Sequence, residues 1–316
     1  MPYRNLNRRP RRLNPEHKVA LLKHTFLVIL AVMLFGATAA HAHDIVVIQG
    51  LHIKPYDDAV RGFRTSCDGN EKKFLLPDLG GADIVRLVRE ERPRLILAVG
   101  AEALKKVRSI KDIPIIYLMV INPQSMMKGH RNITGIAMNV APERYLDLMT
   151  QISPRPKRVG VISDPAKSGY LVKRAQQAAG ARGIELVVRE VETPREVPEA
   201  LTSLKGRVDA LWMFPDPSVV TPETVEMFLL ASEENRLPII SFAGKYVDIG
   251  ALAALDIDSV DQGRQAGEMA ERILNGTAVA DLPGSEARST ALKVNRSVAK
   301  KLGISLDTID RLNSSR

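Results

Sequence analysis

One feature constrains the fold of this chain more than any other. Short, continuously apolar runs rich in β-branched residues alternate with longer stretches of helical period, and the alternation occurs twice. The first series of runs is DIVVIQG from Asp44, KKFLLPD from Lys72, RLILAVG from Arg94 and IPIIYLMVI from Ile113. Between them lie PYDDAVRGFRT, GADIVRLVREER and AEALKKVRSI, where the apolar spacing shifts from two residues to three or four. The second series is KRVGVISDP, IELVVREV, VDALWMFPD, LPIISFA and GALAALDID. Its helices are predicted over Tyr170–Ala181, Val197–Leu204 and Pro222–Asn235, the last with Thr221 as N-cap and Pro222 at the first helical position. A further helix covers VDQGRQAGEMAERILNG and ends at Gly276. Strand–helix–strand alternation requires parallel strands with helices on both faces. Strands buried on both faces read as unbroken apolar runs, as these do. The chain is therefore α/β, with two doubly wound halves.

The first 42 residues do not join this pattern. They hold seven basic residues and one acid, then the apolar run from Phe26, then Ala40-His41-Ala42. Basic, apolar, then small-x-small is the order of a secretory signal. The apolar run is about 15 residues, short of the roughly 20 that span a bilayer. The expectation is a signal peptide over residues 1–42, cleaved near Ala42, with a periplasmic protein from residue 43; a retained anchor is the alternative. Removing the leader's net charge of +6 from the chain's +9 leaves about +3, no footprint for nucleic acid. The single cysteine, Cys67, excludes an internal disulfide and a cysteine metal cluster.

No nucleophile elbow, phosphate loop or metal-spaced histidine pair occurs, so the expected catalytic and metal residues are none and the chain is not expected to be an enzyme. No cofactor is expected. Binding is the remaining class. In open parallel sheets the ligand crevice lies beyond the carboxyl ends of the strands, where helix N-termini also point. That rule selects Gln49, Gly50, Gly100, Ala101 and Asn122 in the first half. In the second it selects Asp164, Ser168, Asp216, Ser218, Phe242 and Asp256. Alternatives stand beside several of them. Asp164-Pro165 and Asp216-Pro217 also read as turn formers, Asp256 as a cap or ion-pair partner, and Phe242 as core or as a ring stacked on ligand. Asp216, five residues ahead of Thr221, is too early to cap the next helix and is expected to face the ligand. Trp212, inside an apolar strand, reads as core.

The ordered motifs NITG, PKRVGVISDPAKSG, VDALWMFPDPSVV, LPIISFAGKYVDIGALAALDIDSVDQGRQAGEMAERILNG and KVNRSVAKKLGISL resemble the ABC-transporter substrate-binding family linked to tryptophan and tyrosine uptake. The resemblance implies a type I periplasmic-binding-protein fold: two doubly wound lobes joined by three hinge crossovers. With the first crossover placed near Gly135 to Asn139, in the turn-rich segment between the halves, the expected first lobe is 43–136 and 257–280, and the second 137–256 and 281–316. The resemblance further implies capture of a small solute, by default an aromatic amino acid, through hinge closure. An inner-membrane ABC permease would be the partner and the receptor a monomer. A periplasmic sensing module that signals to a membrane protein is the alternative. Two turns depart from the family pattern. Gly100-Ala101-Glu102-Ala103 lacks the hydroxyl of a Thr-Pro-Ala-Ala-like turn, and Asn122-Pro123 stands where the family tends to have Asp-Pro.

Overall fold

The computed structural model describes residues 44–152, 156–305, 307, 308 and 310, with Ser125 in backbone only. The expected signal peptide and its cleavage point lie outside the described residues. In chain order the first elements are β1 (Ile45–Gln49), α1 (Lys54–Arg64), β2 (Glu71–Leu75), α2 (Ile84–Glu91), β3 (Leu95–Val99), α3 (Ala101–Val107), β4 (Ile115–Val120), α4 (Gln124–Met127) and β5 (Ile133–Ala137). Then come α5 (Pro142–Ile152), β6 (Arg158–Ser163), α6 (Pro165–Gly180), β7 (Glu185–Glu190), α7 (Val197–Leu204), β8 (Ala210–Trp212), α8 (Pro222–Asn235), β9 (Ile239–Ser241), α9 (Gly244–Asp248) and β10 (Ala253–Ile257). The last are α10 (Ser259–Leu274), β11 (Ser285–Glu286), β12 (Thr290–Val294) and α11 (Arg296–Lys301).

Two six-stranded sheets result. Their orders are β11-β5-β4-β3-β1-β2 and β12-β10-β9-β8-β6-β7. The second order is the first with five added to each of its inner strands, so the alternation read from the sequence is a structural repeat. All pairs are parallel except β10 with β12, which is antiparallel. Each sheet is covered on both faces. Ile45 and Val47 of β1 point into the layer under α1 and α10, and Val46 and Ile48 into the opposite layer. In the second sheet Trp212 and Leu211 divide in the same way. This is the period-2 alternation of a strand buried on both sides.

The chain passes between sheets three times: at 138–141, at Asp258 and at 287–289. The third passage corrects the expected boundary at residue 280. β11 pairs with β5, so Ser285 and Glu286 belong to the first sheet. A two-residue strand has no periodicity to reveal it. The segment NITGIA, read as turn-rich and then extended, forms β5 up to Ala137.

Caps set the helix starts. Asp164 accepts from the Ala166 N–H at 2.8 Å and starts α6 at Pro165, five residues before the predicted Tyr170. Thr221 caps α8, and Thr224 answers it in a capping box. Asp258 caps α10 with two backbone N–H bonds at 3.0 Å. α1 and α10 cross at Gly62 and Gly263. A Cβ at Gly62 would lie 1.9 Å from the Val260 carbonyl oxygen, and one at Gly263 1.9 Å from that of Ala59. Only glycine allows this approach, which seats α10 directly after the second crossover.

Cys67 is buried beneath α10. Burial, then the Glu271 carboxylate, push its thiol up to about 12. The reactive thiolate is therefore absent near neutral pH. A thiol reagent such as Ellman's should leave the native protein unmodified at pH 8 and titrate one thiol per chain in denaturant. Rapid native labelling would contradict this burial.

Candidate ligand-binding cleft

The carboxyl ends of the two sheets meet. Asn122, just after β4, donates its Nδ2 to the Lys167 carbonyl in the first turn of α6, at 3.4 Å. Asn122 has φ +46°, a conformation asparagine adopts more readily than most residues. Its side chain is held from the first crossover, where the Asn139 Nδ2 donates to the Asn122 Oδ1 at 3.0 Å. Asn139 is also the link between crossovers, since its carbonyl accepts from the Ala287 N–H at 3.2 Å. An ion pair joins the lobes elsewhere: Arg174 of α6 to Glu286 of β11. Arg288, in the third crossover, forks onto Asp261 and Glu268 of α10 at 2.8–3.1 Å. Arg144 of α5 donates to the Arg288 carbonyl at 3.2 Å and to the Thr290 hydroxyl at 2.6 Å. The third crossover is thus tied to both lobes.

In the first lobe, Gln49 ends β1 opposite Val99 of β3. Its Nε2 donates to the Leu51 carbonyl at 2.7 Å and to the Asp57 carboxylate at 3.0 Å. That bond is the main cause holding the Asp57 carboxyl below its usual range, helped by His52 and Lys73. Gly50 donates its N–H to the Val99 carbonyl at 2.9 Å. Gly100 has φ +93° and precedes Ala101, the first residue of α3. Tyr56 lies against Gly100, a neighbour that sequence reasoning missed. Gln49, Gly50, Gly100 and Ala101 are therefore brought to one edge, while Asn122 sits at the junction with the second lobe.

In the second lobe, four of the selected residues bond to each other. Asp216 is 1% exposed. Its Oδ2 accepts from the Asp164 N–H at 2.7 Å and from the Ser168 hydroxyl; its Oδ1 accepts from the Ser218 N–H at 2.9 Å. The Ser218 hydroxyl donates to the Asp164 Oδ2 at 2.8 Å. Both Asp216 carboxylate oxygens, expected to face the ligand, are engaged within the fold. The strand ends of β6 and β8 leave backbone N–H groups without ladder partners, and the inward carboxylate collects them. Ser168 and Ser218 spend their hydroxyls on the same closed ring.

Asp256 differs. It is exposed at the end of β10, and its carboxylate sits 2.7 Å from where a Cβ of Gly244 would be. Phe242 is half-buried and packs edge-on to Tyr246, centroids 5.3 Å apart, between both layers of the second lobe. Trp212 is core, 5.0 Å from the Tyr145 ring and 4.6 Å from that of Phe214. Among the described residues no cluster of His, Cys, Asp and Glu could hold a metal ion. No described helix is long and apolar enough to cross a membrane.

The family profile described as ABC transporter substrate binding protein matches residues 78–312. The chain belongs to this family. A tyrosine-binding protein of Clostridioides difficile is 30% identical to it over 215 residues, 65% of this chain. The match spans 62% of that relative's length. Among solved structures, the ligand-free, open form of a substrate-binding protein with adhesive properties from Clostridium difficile is 25% identical, with TM-score 0.67 over 83% of this chain and 95% of that one. An L-Trp complex from Streptococcus pneumonia superposes with TM-score 0.62 at 20% identity, over 84% and 97%. These likenesses establish the two-lobe, type I periplasmic-binding fold.

Proposed function

We propose that this substrate-binding protein is the exported, periplasmic receptor of an ABC importer and captures an amino acid between its lobes. The observation that carries the reading is the Asn122–Lys167 contact, which joins the carboxyl ends of the two sheets across the crevice. An amino acid fits the groups at that crevice. Leu51 and Ile53, after β1, and Tyr170, on α6, are exposed apolar side chains. Asp256 offers a carboxylate for an ammonium group. The tyrosine-binding relative puts aromatic amino acids first among the candidates. The protein acts as a monomer, without catalysis, and hands its solute to an inner-membrane permease. Closure is a hinge motion at the three crossovers.

Thermal shift on residues 43–316 tests this, with L-tyrosine, L-tryptophan, L-leucine and glycine as probes. A ligand at 100 times its dissociation constant stabilises by about 2.7 kcal/mol. For a chain of this size that raises the melting point by several degrees. A hit should also lower the radius of gyration in solution scattering. If none of the amino acids moves the melting point, the reading is wrong.

A further inference from the structure

At the corner where β1 and β3 end, one donor and one acceptor have no partner among the described residues; Gln124 and Gln262 hold two further buried, unpaired amide oxygens elsewhere in the lobe. Tyr56 projects from the first turn of α1, and its ring rests on Gly100. A Cβ at Gly100 would lie 2.7 Å from both the ring edge and the hydroxyl. The ring has this seat because residue 100 has no side chain. The Tyr56 hydroxyl makes no hydrogen bond among the described residues. Burial, then Glu102, raise its pKa, so it remains a donor across the physiological range. Glu102 is itself paired with Lys105 at 2.6 Å, which offsets the negative charge beside the turn.

The acceptor is Gln49. Both groups facing its Nε2, the Leu51 carbonyl and the Asp57 carboxylate, are acceptors, so the amide cannot be turned round. Its Oε1 is buried with no partner, in a residue 0% exposed. An unpaired buried acceptor is costly. The two groups belong to one corner. Gln49 lies opposite Val99, Gly100 follows Val99, and Asp57, held by Gln49, is next in sequence to Tyr56. The turn Gly100–Ala103 lacks a side-chain hydroxyl, and Tyr56 supplies one from the neighbouring helix.

We propose that Tyr56 and Gln49 form the first lobe's head-group subsite for an α-amino acid. The Tyr56 hydroxyl donates to the solute's carboxylate, and the Gln49 Oε1 accepts from its ammonium. The proposal rests on the amino-acid reading above and goes further by naming which groups read the head.

Isothermal titration separates the two claims. The probes are L-tyrosine and tyramine, which keeps the ammonium and ring but has no carboxylate; the proteins are wild type, Tyr56→Phe and Gln49→Met. Tyr56→Phe removes one oxygen and should weaken L-tyrosine about tenfold or more, the loss of a charge-assisted bond. It should leave tyramine within about twofold, since that bond is missing already. Gln49→Met should weaken both probes. The ligand-free melting point of Tyr56→Phe should match wild type, which keeps the result readable even if Gln49→Met folds poorly. Wild-type affinity for L-tyrosine in Tyr56→Phe, or an equal loss for both probes, overturns the subsite while the amino-acid reading stands. If wild type binds neither L-tyrosine nor tyramine, the aromatic amino-acid reading fails and the subsite with it.

Discussion

Asp216→Asn is expected to lower the melting point of the ligand-free protein, and any ligand effect will be secondary to that. The carboxylate accepts three hydrogen bonds, from the Asp164 N–H, the Ser168 hydroxyl and the Ser218 N–H, in a residue 1% exposed. An amide of the same shape has one acceptor oxygen in place of two. Its NH2 must then face at least one of those N–H or O–H donors. Bonds to a charged acceptor are each worth roughly 1.5–3 kcal/mol, and a stranded buried donor costs about 1–3 kcal/mol. A loss on the order of 3 kcal/mol follows, since the serine hydroxyl can turn away and recover part of it. For a chain of this length that is a drop of about 5 °C. Thermal unfolding followed by circular dichroism measures it directly. A mutant that melts like wild type but has lost ligand affinity would return Asp216 to the cleft.

What the sequence made legible follows from how local the signal is. The strands, the helices over Val197–Leu204 and Pro222–Asn235, and the Thr221 cap are written in contiguous residues, and the structure has them there. The strand ends at Gln49, Val99 and Ser163 were legible for the same reason, whereas β8 stops at Trp212, short of the apolar run that continues to Phe214. Where a side chain points once its strand ends is a different matter. Asp-Pro at 164–165 and at 216–217 announces a turn in both cases. Nothing in either pair says that the two carboxylates are bridged by Ser168 and Ser218, because the partners are 48 and 54 positions apart. Tyr56 escaped notice because its neighbour, Gly100, belongs to another βα unit. The Arg174–Glu286 pair spans 112 positions and depends on β11 joining the first sheet, which two residues cannot announce. Non-local charge pairing was the part of the cleft that stayed unreadable.

Trp212→Ala should be the most damaging single change in the second lobe. Trp212 is 2% exposed and among the largest fully buried side chains of the protein. Alternation along β8 decides its direction. Leu211 and Met213 enter the layer that holds α7 and α8 residues, so Trp212 and Phe214 enter the opposite one. There the indole meets Tyr145 at 43° and Phe214 at 75°, tilted and edge-on geometries that suit aromatic quadrupoles. Tyr145 belongs to α5, the first helix after the first crossover, so the indole, with Leu146, Met149 and Ile152 of that helix in the same cluster, helps seat it on the second sheet. Removing the indole costs about 3–5 kcal/mol from lost burial and the cavity left behind. The melting point should fall by roughly 5–9 °C. Because α5 also carries Arg144, which holds the third crossover, the loosened helix should also raise amide hydrogen exchange at residues 287–290. Exchange confined to α5 and β8 would mean that the aromatic cluster supports the lobe alone and has no hold on the hinge.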